Sequence, residues 1–198
     1  GETPSSVSAI LGSVPEGGVG AAITVSPGTS MLTFANLVFT HQTWLLPSSP
    51  TGFVDLQSGY FFTHHGALLQ GVPGALALHG VKNVTVSNCS FVQLGLTGVL
   101  ADRGSQGVAV VGSTFADTSG SAVALGNVSQ PIMSAAEQDE NFVVENNLIR
   151  NTGNEFSGCA GIVAGKSGVS LDPPPAAAPP PPPHPSRAAT HTHARIPS

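Results

Sequence analysis

The sequence predicts an all-β chain: a right-handed parallel β-helix, a single solenoid of about five coils, with a disordered Pro-rich C-terminal tail. Three observations carry this expectation. Short segments of alternating apolar residues recur about every 24 residues, small or Asn-rich turns punctuate them at matching places, and the composition changes abruptly at Pro173. They divide the chain into a partial N-terminal segment over 1–30, β-helix repeats over 31–170 and a tail over 171–198.

Periodicity is weighed first because a repeat decides architecture before local propensity does. Val84 to Phe91 reads Val-Thr-Val-Ser-Asn-Cys-Ser-Phe, Val108 to Phe115 reads Val-Ala-Val-Val-Gly-Ser-Thr-Phe, and Phe142 to Ile149 reads Phe-Val-Val-Glu-Asn-Asn-Leu-Ile. Each opens on alternating apolar residues, passes through a small or Asn-rich turn and ends on a large apolar anchor. Phe91 to Phe115 is 24 residues and Phe115 to Ile149 is 34, the longer step reflecting an insertion over Ser129 to Glu140. A second set keeps the same beat: Ala75–Leu78, Gly98–Ala101, Ala122–Leu125 and Gly161–Ala164. An earlier copy, Leu32–Phe39, precedes a longer insertion.

A unit of about 20–25 residues with two or three short strands cannot bury its own apolar face, so neighbours must stack, strand on equivalent strand, about 4.8 Å apart. Leucine-rich repeats share the period but need a recurring Leu lattice with Asn, which is absent. Asn88, Gly112 and Asn146 fall in one slot of the repeat, and these residue types tolerate the left-handed backbone of a sharp corner.

Charged residues are only 9% of the chain, and the six Lys+Arg against a net charge of −5 offer no basic patch for nucleic acid. No apolar run is long enough to span a bilayer. Two cysteines in a chain of this length, Cys89 and Cys159, are no disulfide framework and lack zinc-ligand spacing. They lie about two coils apart, beyond disulfide reach, and are expected as unbridged packing residues. Asn83, Asn88 and Asn127 each open an Asn-x-Ser/Thr pattern; Asn83 and Asn127, at expected turns, are the plausible acceptors in a secreted protein. These patterns favour an extracellular or cell-wall location; a monomer is also expected. The tail after Asp172 cannot pair into a ladder and is expected to be polyproline-like and disordered. Its His184, His191 and His193 are too loosely spaced to define a metal tract.

Two stretches carry a more specific resemblance. One is Phe34-Ala35-Asn36-Leu37-Val38-Phe39-Thr40-His41-Gln42-Thr43-Trp44, continuing to Gly52-Phe53-Val54-Asp55-Leu56-Gln57. The other is Asn146-Asn147-Leu148-Ile149-Arg150-Asn151-Thr152-Gly153-Asn154-Glu155-Phe156, then Gly158 and Gly161-Ile162. From about Met31 to Gly165 the chain resembles the glycoside-hydrolase branch of the pectin-lyase-like superfamily, which includes α-L-fucosidases and xylanases. The resemblance implies a polysaccharide or oligosaccharide along the elongated face of the helix, with two carboxylates as general acid and as base or nucleophile. No cofactor or metal is implied.

Glu155, in a Gly-rich loop after a strand, and Asp55, in the long insertion, are the candidate catalytic carboxylates. Trp44 could stack on a sugar ring, though beside Leu45-Leu46 it also reads as a packing anchor, and Asn154 is a candidate substrate contact. Asp102 beside Arg103 reads as a corner residue with a surface ion pair, Asp117 as a turn and Glu145 as solvent-facing. The chain departs from the family's pattern in having Ser157 where a His usually follows the Glu-aromatic pair. It also lacks the later Trp-Gly-rich and Asp-Gly-Gly segments. The Asp cluster, Gly-His and Arg-x-Lys of polygalacturonases are absent, as is the acidic calcium cluster of pectate lyases. His64-His65 and His79 make no ligand pattern. The expectation is an incomplete, glycoside-hydrolase-like protein without full independent catalysis; a non-catalytic glycan-binding or structural β-helix of the cell surface or wall is the alternative.

Overall fold

The structure, a computed structural model, describes residues 20–44, 53–63, 68–126, 134 and 138–165. Short apolar-alternating runs bounded by Gly, Asn and Ser form strands too brief to stand alone, and each strand pairs with its counterpart in another repeat. In chain order they are β1 (Ile23–Val25), β2 (Thr33–Ala35), β3 (Val38–Thr40), β4 (Val54–Asp55), β5 (Tyr60–Thr63), β6 (Leu68–Gly71), β7 (Gly74–His79) and β8 (Lys82–Ser87). They continue with β9 (Ser90–Leu94), β10 (Thr97–Asp102), β11 (Gln106–Val111), β12 (Thr114–Thr118), β13 (Val123–Leu125), β14 (Val143–Glu145), β15 (Leu148–Thr152) and β16 (Ile162–Ala164). The described chain is all-β, its one helical element a 3₁₀ turn over Gln57–Gly59.

Three of the sheets are wholly parallel. Sheet A runs β1-β7-β10-β13-β16, sheet B runs β14-β11-β8-β2, and sheet C runs β15-β12-β9-β3. The register joins the repeats residue for residue: Val110 pairs with Val86 and Val144, and Phe115 with Phe91 and Ile149. The insertion over 129–140 thus lengthens one connection without disturbing the pairing on either side. The stack starts before residue 31, because β1 already pairs with β7 through Ile23–Leu76. Three residues between turn formers are a weak strand signal by themselves; the partner strand supplies what they lack.

The core lies between the sheets. Leu76, Leu78 and Val99 from sheet A, Val84 and Val110 from sheet B, and Phe91 and Phe115 from sheet C are fully buried. Register turns identical side chains into ladders. The Phe39, Phe91 and Phe115 rings stack with centroids 4.6 and 4.8 Å apart and planes within 4°, the spacing of adjacent strands.

The corners form ladders too. Asn36, Asn88, Gly112 and Asn146 occupy one slot with φ between 51° and 64°. His41, Gln93, Asp117 and Asn151 share a second left-handed slot, in sheet C. Met31, Asn83, Gly107 and Asn141 share a third, at the entrance to sheet B. Asn tolerates the left-handed backbone of such slots, and here its amide also bonds along the ladder: Asn151 donates to Asp117 Oδ1, one repeat away, at 2.9 Å.

The long insertion is not a bare loop. β4, β5 and β6 form a small antiparallel sheet. Trp44, Phe53, Phe61 and Phe156 pack together with contacting ring centroids 5.2–6.3 Å apart, so residues a hundred positions apart close one aromatic cluster. Backbone bonds from Gly59 N to Gly158 O and from Val72 N to Gly59 O fasten the insertion at its base.

Candidate functional site

Strand alternation sends Leu76, Leu78, Val99 and Ala101 inward, which leaves the residues between them on the outer face of sheet A. Thr24, Ala77, Leu100, Ala124 and Val163 register across all five strands and floor a groove of about 370 Å³. At ordinary strand spacing five strands span roughly 19 Å. One flank carries His79, Asp102 and Arg103; the other is the inserted sheet, with Tyr60 and Gln70, and Pro73 just after it. A floor of small and aliphatic side chains between polar flanks results.

The charged flank follows from the repeat. Asp102 pairs directly with His79 across β7 and β10, and the His79 Nδ1 contacts Asp102 Oδ1. An ionised carboxylate only accepts, so Nδ1 is the protonated ring nitrogen and Nε2 is left for another partner. Both side chains are 15% exposed, whereas Arg103, whose Nε lies 3.8 Å from the same Asp102 oxygen, is 66% exposed. Arg103 itself is left-handed, at φ 58°.

Behind this corner lies Asp139, fully buried. Its Oδ1 accepts the backbone N–H groups of Gly104 and Ser105 at 3.0 and 2.8 Å, while Oδ2 is buried without a hydrogen-bond partner. Burial pushes its carboxyl up to about 6, with the nearby Asp102 charge acting the same way and the two N–H bonds opposing.

The residues singled out from the sequence are placed differently. Asp55 Oδ2 accepts Ser157 Oγ at 2.7 Å and Gly158 N at 3.1 Å, so this carboxylate ties the insertion to the loop after β15. Its Oδ1 is buried and unpaired. Glu155 and Ser157 are exposed on either side of Phe156, which turns into the aromatic cluster. Asn154 is exposed and donates to Asn151 O at 3.2 Å. Trp44 is 3% exposed and enclosed by Phe61 and Phe156, which leaves no ring face for a sugar. Neither Asp55 nor Glu155 lines the groove. The fold thus unites the Asp55 region with the segment around Glu155, but as a structural clamp. Asn83 is exposed at the left-handed start of β8; Asn127 lies outside the described residues.

In the sequence His79 makes no ligand pattern and Asp102 reads as a corner residue beside Arg103, an ion pair the structure contains; that His79 and Asp102 face each other was missed. The signal was present: the two are 23 residues apart, the same step that pairs Leu76 with Val99. Cys89 and Cys159 are both free, and burial raises the Cys159 thiol above its ordinary range, with Ser121 hydrogen bonds opposing. Among the described residues no group of three or more His, Cys, Asp or Glu could hold a metal ion, and no helix is long and apolar enough to cross a membrane. Comparison with protein-family models, with curated proteins and with solved structures finds no match.

Proposed function

We propose that this chain is a right-handed parallel β-helix of the carbohydrate-active, pectin-lyase-like kind, which holds a saccharide along the outer face of sheet A without hydrolysing it. The handedness rests on the rule that parallel strand–crossover–strand units are right-handed in nearly all known cases. The observation that carries the function is the groove itself. Its apolar floor, Ala77, Leu100 and Ala124, suits the carbon-bound faces of sugar rings, and His79, Asp102, Tyr60 and Gln70 on the flanks suit their hydroxyls.

The glycosidase reading has less support. Glycoside hydrolysis needs two carboxyl groups facing one bond. Among the described residues that line the groove, Asp102 is the one carboxylate, and Asp55 is occupied in bonds to Ser157 and Gly158.

Calorimetry with xylohexaose, alongside a reducing-sugar assay on xylan, tests the proposal. Binding is expected without sugar release, and Leu100→Trp, which fills the floor, should weaken it by about tenfold or more. Sugar release that disappears in Asp55→Ala and Glu155→Ala would overturn it in favour of a complete hydrolase.

A further inference from the structure

We infer that Asp55 is a positioning residue for the groove: without lining it, Asp55 fixes the inserted wall against the floor, so that saccharide binding and the clamp reinforce each other. The inference rests on the saccharide-groove reading and adds to it the contact that controls affinity.

The two edges of the inserted sheet are fastened by different means. β6 runs through Val72 and Pro73 directly into β7, and the Thr97 N–H donates to Pro73 O at 3.0 Å. β4, the opposite edge strand, is held by the loop after β15, where Asp55 Oδ2 accepts Ser157 Oγ and Gly158 N. That same loop grips the floor. Ala160 N donates to Ser121 Oγ at 3.3 Å, and Ala122 N donates to Gly161 O at 3.1 Å. Ser121 lines the groove, whereas Ser157 and Gly158 do not. The loop therefore bridges wall and floor.

From Asp55 to the groove there is no slack. Leu56 N donates to Tyr60 O at 2.8 Å and Gly59 N to Gly158 O at 3.2 Å, and both Gly59 and Tyr60 line the groove. A Cβ on Gly59 would begin 2.7 Å from Cys159 Sγ, and one on Gly158 would begin 1.8 Å from Leu56 O. Contacts packed this closely transmit a displacement rather than absorb it. Losing the Asp55 bonds thus shifts Gly59 and Tyr60 over the floor. Linkage then works in both directions: a saccharide that prefers the clamped wall tightens the clamp by the factor by which the clamp tightens binding.

The test is calorimetry of the full chain with xylohexaose, read beside amide hydrogen exchange at Gly158 with and without the sugar. Asp55→Ala should weaken binding by about five- to tenfold. Gly158→Ala, which forces Leu56 away, should do the same, with β8 and β11 protected as before in both variants. Asp55→Asn keeps an acceptor oxygen without the charge and should fall between Asp55→Ala and the wild type. In the wild type, saturating xylohexaose should slow Gly158 exchange by the same five- to tenfold or so, although that amide lies outside the groove. A merely structural Asp55 would leave this rate unmoved by the sugar. Wild-type affinity in both Asp55→Ala and Gly158→Ala, or a Gly158 rate indifferent to xylohexaose, overturns the coupling and leaves the groove reading intact. No binding of xylohexaose by the wild type overturns both.

Discussion

At the scale of single residues, left-handed backbone positions separate what residue type demands from what the stack imposes. Asn88 has φ 51° and presents its Oδ1 where a side chain at Gly112, one repeat later, would begin, 2.9 Å from the Cβ position. Asn88→Gly is therefore expected to be nearly neutral in urea unfolding, whereas Asn88→Val should cost about 1–2 kcal/mol. Equal stabilities would mean that the slot exerts no backbone constraint. The Asn and Gly corners were legible in the sequence because those residues favour this conformation. Met31 and Gln93 adopt it too, held by the register of their strands with the neighbouring repeat, and their residue types carry no such sign. Asp139 allows a second prediction. Its carboxyl is raised from 3.8 to about 6, so the folded state holds the proton more tightly than the unfolded chain. The resulting stabilisation is full below about pH 4 and is lost as pH rises through 6, a change of about 3 kcal/mol. Asp139→Asn should remove this component, so that the wild type loses stability relative to the variant between pH 4 and pH 7.5. Parallel pH profiles would contradict the buried-carboxyl account.

At the scale of elements, apolar ladders and the insertion are held by different forces. Phe91 is fully buried between Phe39 and Phe115, and Phe91→Ala should cost about 3–5 kcal/mol by emptying the middle of the ladder. That ladder could be read from sequence, because its period is that of the strands themselves. The docking of the insertion could not. A side chain on Gly158 would begin 1.8 Å from the Leu56 carbonyl oxygen, and Asp55 reaches the same loop across 102 residues of chain. No periodic signal marks contacts of that kind. Gly158→Ala and Asp55→Ala should both release β4, β5 and β6 from the loop after β15. The measurement is hydrogen exchange: faster exchange at Gly59 and Val72, with β8 and β11 protected as before. Unchanged exchange at Gly59 in both variants would remove the clamp assigned to Asp55.

At the scale of the whole molecule, parallel sheets built from successive repeats were legible because repeat spacing and apolar alternation point to one arrangement. The site was less legible. A candidate carboxylate looks the same in sequence whether it faces a ligand or fastens a loop, and Asp55 fastens a loop. His79 and Asp102 become a pair only once their strands are laid side by side, and the groove they flank exists only because the inserted sheet forms its opposite wall. The central claim is that a saccharide lies on the outer face of sheet A, away from the loop bearing Glu155. An assigned amide NMR spectrum titrated with xylohexaose tests this most directly. The expected result is shifts confined to Ala77, Leu100, Ala124 and the flank at His79 and Asp102. Shifts centred on Asn154, Glu155 and Asp55, with the groove strands silent, would contradict it.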